Sequence, residues 1–138
     1  MRLTSFTDYG LRMLMRLASD PGRAFSTAEL AREFGLSRHH LTKIMQRLAQ
    51  GGIVQTRRGG GGGAMLRHDA AAIRLGDVVR LLEQGQPLVE CLGPEGGACS
   101  ISGGCRLKAK LIIARERFLD DLNQSTLDDI ALPAREAA

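Results

Sequence analysis

Tryptophan is absent from this 138-residue chain, tyrosine occurs once, at Tyr9, and only four phenylalanines are present. No Cys–His–Asp pattern, nucleotide-cradling glycine loop or paired carboxylate motif accompanies them, which argues against an enzyme. No apolar run approaches the ~18 residues a membrane-crossing helix needs, so no membrane partner is expected. The first residues lack the basic region, apolar run and small-residue cleavage site of a secretory leader. The expected location is the cytoplasm, where disulfides are uncommon. What remains is ample for folding: 43% of the residues are apolar, enough to pack the core of one ordinary domain without staples.

Acidic residues are scarce in the first half. Residues 1–68 carry eleven Lys and Arg against four Asp and Glu, a net +7. Residues 69–138 carry eight against eleven, a net −3. A basic N-terminal half is suited to a polyanion or is simply a solvated basic face.

Helical periodicity organises most of the chain. Leu11, Leu14, Met15 and Ala18 predict a helix over Ser5–Ser19, capped by Thr4 or Ser5 and stopped by Asp20, Pro21 and Gly22. Ser26 and Glu29 have capping-box spacing ahead of a two-turn helix that Gly35 ends. Ser37 can cap a third helix, in which Leu41, Ile44, Met45 and Leu48 form an i, i+3, i+4, i+7 stripe. Gly51 and Gly52 stop it, and residues 53–57 and 64–67 read as a hairpin around the glycine run 59–63. A fourth helix is expected near Leu75–Glu83, a Gly-, Pro- and Cys-containing loop over 85–105, and a long helix over Cys105–Asn123. The stripe Leu107, Leu111, Ala114, Phe118 and Leu122, widened by Ile112, Ile113 and Leu119, is broader than so small a core can cover. A second subunit is expected to cover it. A short turn is expected over Ser125–Ile130 and a frayed tail from Pro133.

Short capped helix, Gly-Leu-Ser turn, polar-faced helix and hairpin together are the order of a winged helix-turn-helix. The fold class expected is mainly α with a small β-hairpin: a winged helix-turn-helix plus a long C-terminal dimerisation helix. The divisions are 1–84 for DNA binding, 85–105 for the cysteine loop, and 105–138 for the dimerisation helix and tail. Arg38, His39, Thr42, Lys43, Gln46 and Arg47 lie opposite the apolar stripe of the third helix, and the first five are the groove-facing candidates. Arg and Lys donate to guanine, Gln pairs with adenine, and a Thr methyl meets a thymine methyl. In the wing, Arg57 and Arg58 precede Gly59 and Gly60, where a nearly bare backbone can approach phosphate and arginine suits a narrow minor groove. The plainer reading of the glycine run is a floppy turn. His39 and His40 point about 100° apart on a helix, so they do not share a metal. His39 is read as a DNA contact and His40 as a packed or surface residue.

All three cysteines, Cys91, Cys99 and Cys105, fall in the loop, with seven and five residues between them. Three thiolates plus one other ligand suit an iron–sulfur cluster. Zinc ordinarily takes shorter Cys-x2-Cys spacings, a thiol switch would leave an odd cysteine, and incidental buried cysteines usually sit in apolar runs. These four readings stay open on the cysteines alone. Cys105 is expected at the start of the long helix, where the dipole favours thiolate.

The strings LTSFTDYGLRML (3–14), RRGGGGG followed by Ala-Met-Leu (57–66), IRLGDVVRLLE (73–83) and three late cysteines ending in Cys-Arg-Leu-Lys resemble the iron–sulfur winged-helix repressor family over residues 1 to about 130. The N-terminal string is most similar to its nitric-oxide-sensing members. The seven-residue gap between the first two cysteines is also similar to that of iron-responsive members. The resemblance implies a homodimer bound to double-stranded operator DNA. It implies one cluster per subunit, 4Fe–4S favoured and 2Fe–2S the other form, on Cys91, Cys99 and Cys105. Asp8 from the partner subunit is the implied fourth ligand, and nitric oxide the implied signal. The histidine that other members use shortly after the third cysteine is replaced here by Arg106, Leu107 and Lys108. Outside this class, a protein-binding adaptor on the same fold is distinguished by whether the chain binds a palindromic duplex with a steep salt dependence.

Overall fold

The computed structural model describes residues 1–59 and 63–135. Helix α1 spans Ser5–Ser19, and the Thr4 side chain caps it by accepting from the Thr7 backbone N–H. Helix α2 spans Thr27–Phe34 and carries the full reciprocal capping box between Ser26 and Glu29. It closes on Gly35 in the left-handed conformation. Helix α3 spans Arg38–Gln50, with the Ser37 side chain accepting from the His40 N–H. In each case a short polar side chain satisfies a backbone donor that the helix leaves free, so the start positions were written locally.

Strands β1 (Val54–Arg57) and β2 (Gly63–Leu66) form the antiparallel hairpin, pairing Val54 with Leu66 and Arg57 with Gly63. The expected strand began one residue earlier. Instead, the Ile53 N–H closes back on the Leu48 carbonyl at the end of α3, 2.9 Å away. Phe25, which precedes α2, pairs with Ala64 through two backbone hydrogen bonds of 2.8 Å and so anchors β2 to the helix-turn-helix. Gly63 makes this possible. Its φ is +149°, and a Cβ there would collide with the Phe25 carbonyl and the Ser26 nitrogen.

Helix α4 (Leu75–Leu82) packs against α1 and α3, and helix α5 (Leu107–Leu122) packs on α4. At Gly76 the α5 backbone comes so close that a Cβ would overlap the Leu119 carbonyl. Asn123 then donates to Asp77 and accepts from its N–H at 3.0 Å, and Arg80 pairs with Glu116 at 2.6 Å. One core results, built on Met13, Leu14 and Leu17 of α1, Leu30 of α2, Leu41, Ile44 and Leu48 of α3, and Val78 and Leu82 of α4. Complete burial of such a side chain contributes about 1.5–3 kcal/mol.

The C-terminal part differs from expectation in two ways. Helix α5 starts at Leu107 rather than Cys105, because Cys105 is extended and Arg106 provides no side-chain cap. Basic residues at Arg106, Lys108 and Lys110 also oppose the positive end of the helix dipole. Beyond α5, the chain does not leave the surface. Leu127 is fully buried, its N–H donates to the Ile73 carbonyl at 2.8 Å, and the Leu132 N–H donates to the Met15 carbonyl at 3.1 Å. Of the tail expected to fray from Pro133 to Ala138, residues 133–135 are held, Arg135 pairing with Glu33 at 2.7 Å, and 136–138 lie outside the described residues. No described helix is long and apolar enough to cross a membrane.

Candidate nucleic-acid interface and thiol segment

The face of α3 divides as its sequence pattern demands. Leu41, Ile44, Met45 and Leu48 are buried, while Arg38, His39, Thr42, Lys43 and Gln46 are all exposed. The Thr42 hydroxyl donates to the Arg38 carbonyl at 2.8 Å, so its hydrogen is used within the helix. His40 turns inward, its ring 5.5 Å from Tyr9 in an edge-on contact and 6.2 Å from Phe6. It therefore fixes α3 against α1 and does not share a site with His39.

Arg47 also leaves the outer face. Its Nη1 donates to the Leu81 carbonyl at the end of α4, 3.3 Å away, and its guanidinium lies 5.4 Å from the Phe6 ring. Periodicity could not show this, because a long arginine on the margin of a helix can point either way.

The wing shows Gln55, Thr56 and Arg57 to solvent from β1, followed by exposed Arg58 and Gly59. Gly60 lies outside the described residues. The helix-turn-helix and the wing stem are joined through Phe25, a link that no local sequence signal marks. Nothing in the pattern of residues 23–26 separates a strand-like residue from loop.

A partly buried ion pair joins α1 and α2 on the other side of the helix-turn-helix. Arg16 of α1 donates through Nε and Nη2 to Glu33 Oε1 of α2, at 2.9 and 2.6 Å. Arg135 lies against the second carboxylate oxygen. Burial pushes the Glu33 carboxyl up, but the two guanidiniums outweigh it and hold the group below the ordinary glutamate value.

The cysteine segment leaves α4 and returns into α5, with two single-turn helices, Glu90–Leu92 and Ser102–Gly104, as its regular structure. Cys91 and Cys105 are half-buried, Cys99 is exposed, and all three are free thiols. As a donor set, three reduced thiols within fifteen residues fit an iron–sulfur cluster. Their arrangement in the single chain does not gather them. Among the described residues no three His, Cys, Asp or Glu side chains stand close enough to share a metal ion. Asp8, in the first turn of α1, is half-exposed and held by Arg12 through two hydrogen bonds of 3.0 and 2.8 Å. An exposed pair of this kind is worth about 0–1 kcal/mol, so its release costs little.

A profile described as Rrf2, iron-dependent transcriptional regulator, matches residues 3–132, nearly the whole chain. The chain belongs to the Rrf2 family. It is therefore a DNA-binding transcriptional regulator and not an enzyme. Among solved structures it is similar to CymR (YrzC), the global cysteine regulator of B. subtilis, at 28% identity and a TM-score of 0.71 over 95% of this chain and 96% of that one. The oxidized form of Staphylococcus aureus CymR matches at 28% identity and 0.70, over 99% and 100% of the two chains. T. potens IscR, at 24% identity and 0.71 over 94% and 85%, shares the fold. Within this Rrf2 fold, α2 and α3 are the helix-turn-helix and β1–β2 the wing.

Proposed function

We propose that this Rrf2 regulator is an iron–sulfur-dependent repressor of the NsrR type, which binds operator DNA as a homodimer and releases it when nitric oxide damages the cluster. The observation that carries the reading is the set of three free thiols in the segment between α4 and α5. That segment joins the DNA-binding core to α5, whose Leu107 and Ile113 the single chain leaves exposed. Cys91, Cys99 and Cys105 would hold the cluster, with Asp8 of a second copy as the fourth ligand. When bound, such a cluster supplies iron that nitric oxide takes in place of a thiolate or carboxylate ligand.

This chain's own residues do the rest. The segment 85–105, drawn together on its thiols, sets the placement of α5 against α4. A dimer on α5 in turn sets the spacing of the two α3 helices, which must match neighbouring major grooves about 34–36 Å or a multiple apart. Arg38, His39, Thr42, Lys43 and Gln46 meet base edges, and Arg57, Arg58, Gly59 and Gly60 follow the adjacent backbone or minor groove. To lift repression, the two states must differ by a few kcal/mol in DNA affinity.

The description of the family as iron-dependent favours one second reading, an iron-responsive or more generally redox-responsive regulator on the same thiols. Anaerobic purification, with the visible spectrum and operator binding followed together during nitric oxide titration, separates the two. A brown protein whose absorption bleaches as DNA is released supports the nitric oxide reading. A protein insensitive to low nitric oxide that loses both colour and DNA on iron chelation supports the iron reading. A colourless protein without iron overturns both.

A further inference from the structure

The C-terminal end of α4 is a junction of three parts of the molecule. Glu83, the residue after the helix, accepts through Oε1 from the Thr4 backbone N–H at 2.7 Å and from the Thr4 hydroxyl at 2.9 Å. Thr4 is the residue that caps α1. One residue before α4 ends, the Leu81 carbonyl accepts from Arg47 of α3. Two residues beyond Glu83, the chain turns at Gly85 into the segment that bears the cysteines. The root of that segment is thus tied to the start of α1 by one side chain and to the recognition helix by another.

Both ties have the chemistry of a firm but breakable clamp. Arg47 places a cation on the carbonyls at a helix C-terminus, where the dipole is negative. Glu83 satisfies a free backbone N–H and a hydroxyl with one carboxylate oxygen, and bonds to a charged group are roughly twice as strong as neutral ones. The space beside them is incompletely filled. A cleft of about 150 Å³ is lined by Thr4, Phe6, Arg47, Leu82, Gln84 and Gln86. The end of α4 is at the same time packed on α3 and α1, with Leu82 buried in the core and the Leu81 side chain against Gly51, so a displacement there is passed on to both helices.

We propose that Arg47 and Glu83 are positioning residues that carry the state of the cysteine segment to the recognition helix. Neither faces DNA. Arg47 sets where the last turn of α3 lies relative to α4, and Glu83 holds the α1 N-terminus to the same point. A pull on residues 84–86 is transmitted to α3 through Leu81 and Arg47, and to α1 through Glu83 and Thr4. The proposal rests on the reading of the cysteine segment as the sensor, and its test distinguishes the two.

The test uses the full chain, with operator duplex binding measured for iron-loaded and chelator-treated protein at one salt concentration. Arg47→Met and Glu83→Ala remove the clamps, and Arg47→Lys and Glu83→Gln retain a donor and an acceptor. We expect R47M and E83A to bind iron as the wild type does but to lose about tenfold of the ratio between loaded and iron-free affinities, with R47K and E83Q close to wild type. A ratio unchanged in both disruptive variants, or both forms weakened equally, overturns the proposal. A wild-type protein with no iron dependence overturns the sensor reading instead, and hydrogen exchange of the iron-free protein then decides. E83A should speed exchange of α3 amides at least about fivefold, although Glu83 bonds to α1 and not to α3. Unchanged α3 exchange overturns the proposal independently of iron.

Discussion

At the scale of single residues, the exposed row on α3, proposed to meet DNA, should make sharply different contributions to binding. Gln46 has two donors and an acceptor free, the pattern that pairs bidentately with adenine. Gln46→Ala should cost about 1–3 kcal/mol at one base pair of the operator and little elsewhere, measured by binding to a set of singly substituted duplexes. A uniform loss across all duplexes would show a backbone contact instead. Glu33 makes a prediction about pH. Its folded carboxyl binds protons less readily than its unfolded one, so its stabilisation is present in full above the ordinary glutamate range of about 4.3. That stabilisation is lost as pH falls through the lower folded value. Denaturant unfolding of wild type and Glu33→Gln should therefore differ most near neutrality, and the difference should shrink as pH falls from the ordinary glutamate range through the lower folded value. A constant difference across that range would show that charge on Glu33 is not what holds Arg16 and Arg135.

At the scale of elements, the capped helices were legible because a cap is a local event. Thr4, Ser26 and Ser37 each accept from a backbone N–H three residues on, and the sequence spacing is the structure. The wing was legible only as a hairpin. Its attachment depends on Phe25 and Gly63 meeting across 38 positions of sequence, and no local pattern encodes a meeting of that kind. The wing arginines are exposed on a stem anchored to the helix-turn-helix. Arg57→Ala and Arg58→Ala should each weaken binding about evenly across operator sequences and lower the salt slope of log affinity by about one. Retention of the full slope in both variants would place the wing away from phosphate.

At the scale of the whole molecule, α5 is the element that one chain leaves unfinished. Leu119 is its only buried residue among those described, whereas Leu107 is 62% and Ile113 46% exposed. Leu107→Glu combined with Ile113→Glu changes no packed core position. It should convert a two-chain species to one chain in sedimentation equilibrium and, with half-sites no longer linked, weaken operator binding by orders of magnitude. A doubly substituted chain that remains dimeric would move the interface off α5.

Sequence alone determined the starts of α1 to α4, the buried and exposed faces of α3, the hairpin, the concentration of thiols in one segment and the surplus of apolar residues on α5. All of these arise from interactions within about seven residues, where periodicity and capping chemistry act. Tertiary structure alone decided what crosses longer distances. It turned Arg47 inward to the Leu81 carbonyl, joined Glu83 to Thr4, paired Phe25 with Ala64, returned Leu127 to Ile73 and brought Leu132 and Arg135 to α1 and α2. The physical reason is that a hydrogen bond has no sequence range. Any unsatisfied donor and acceptor that the packed helices bring within about 3 Å will pair.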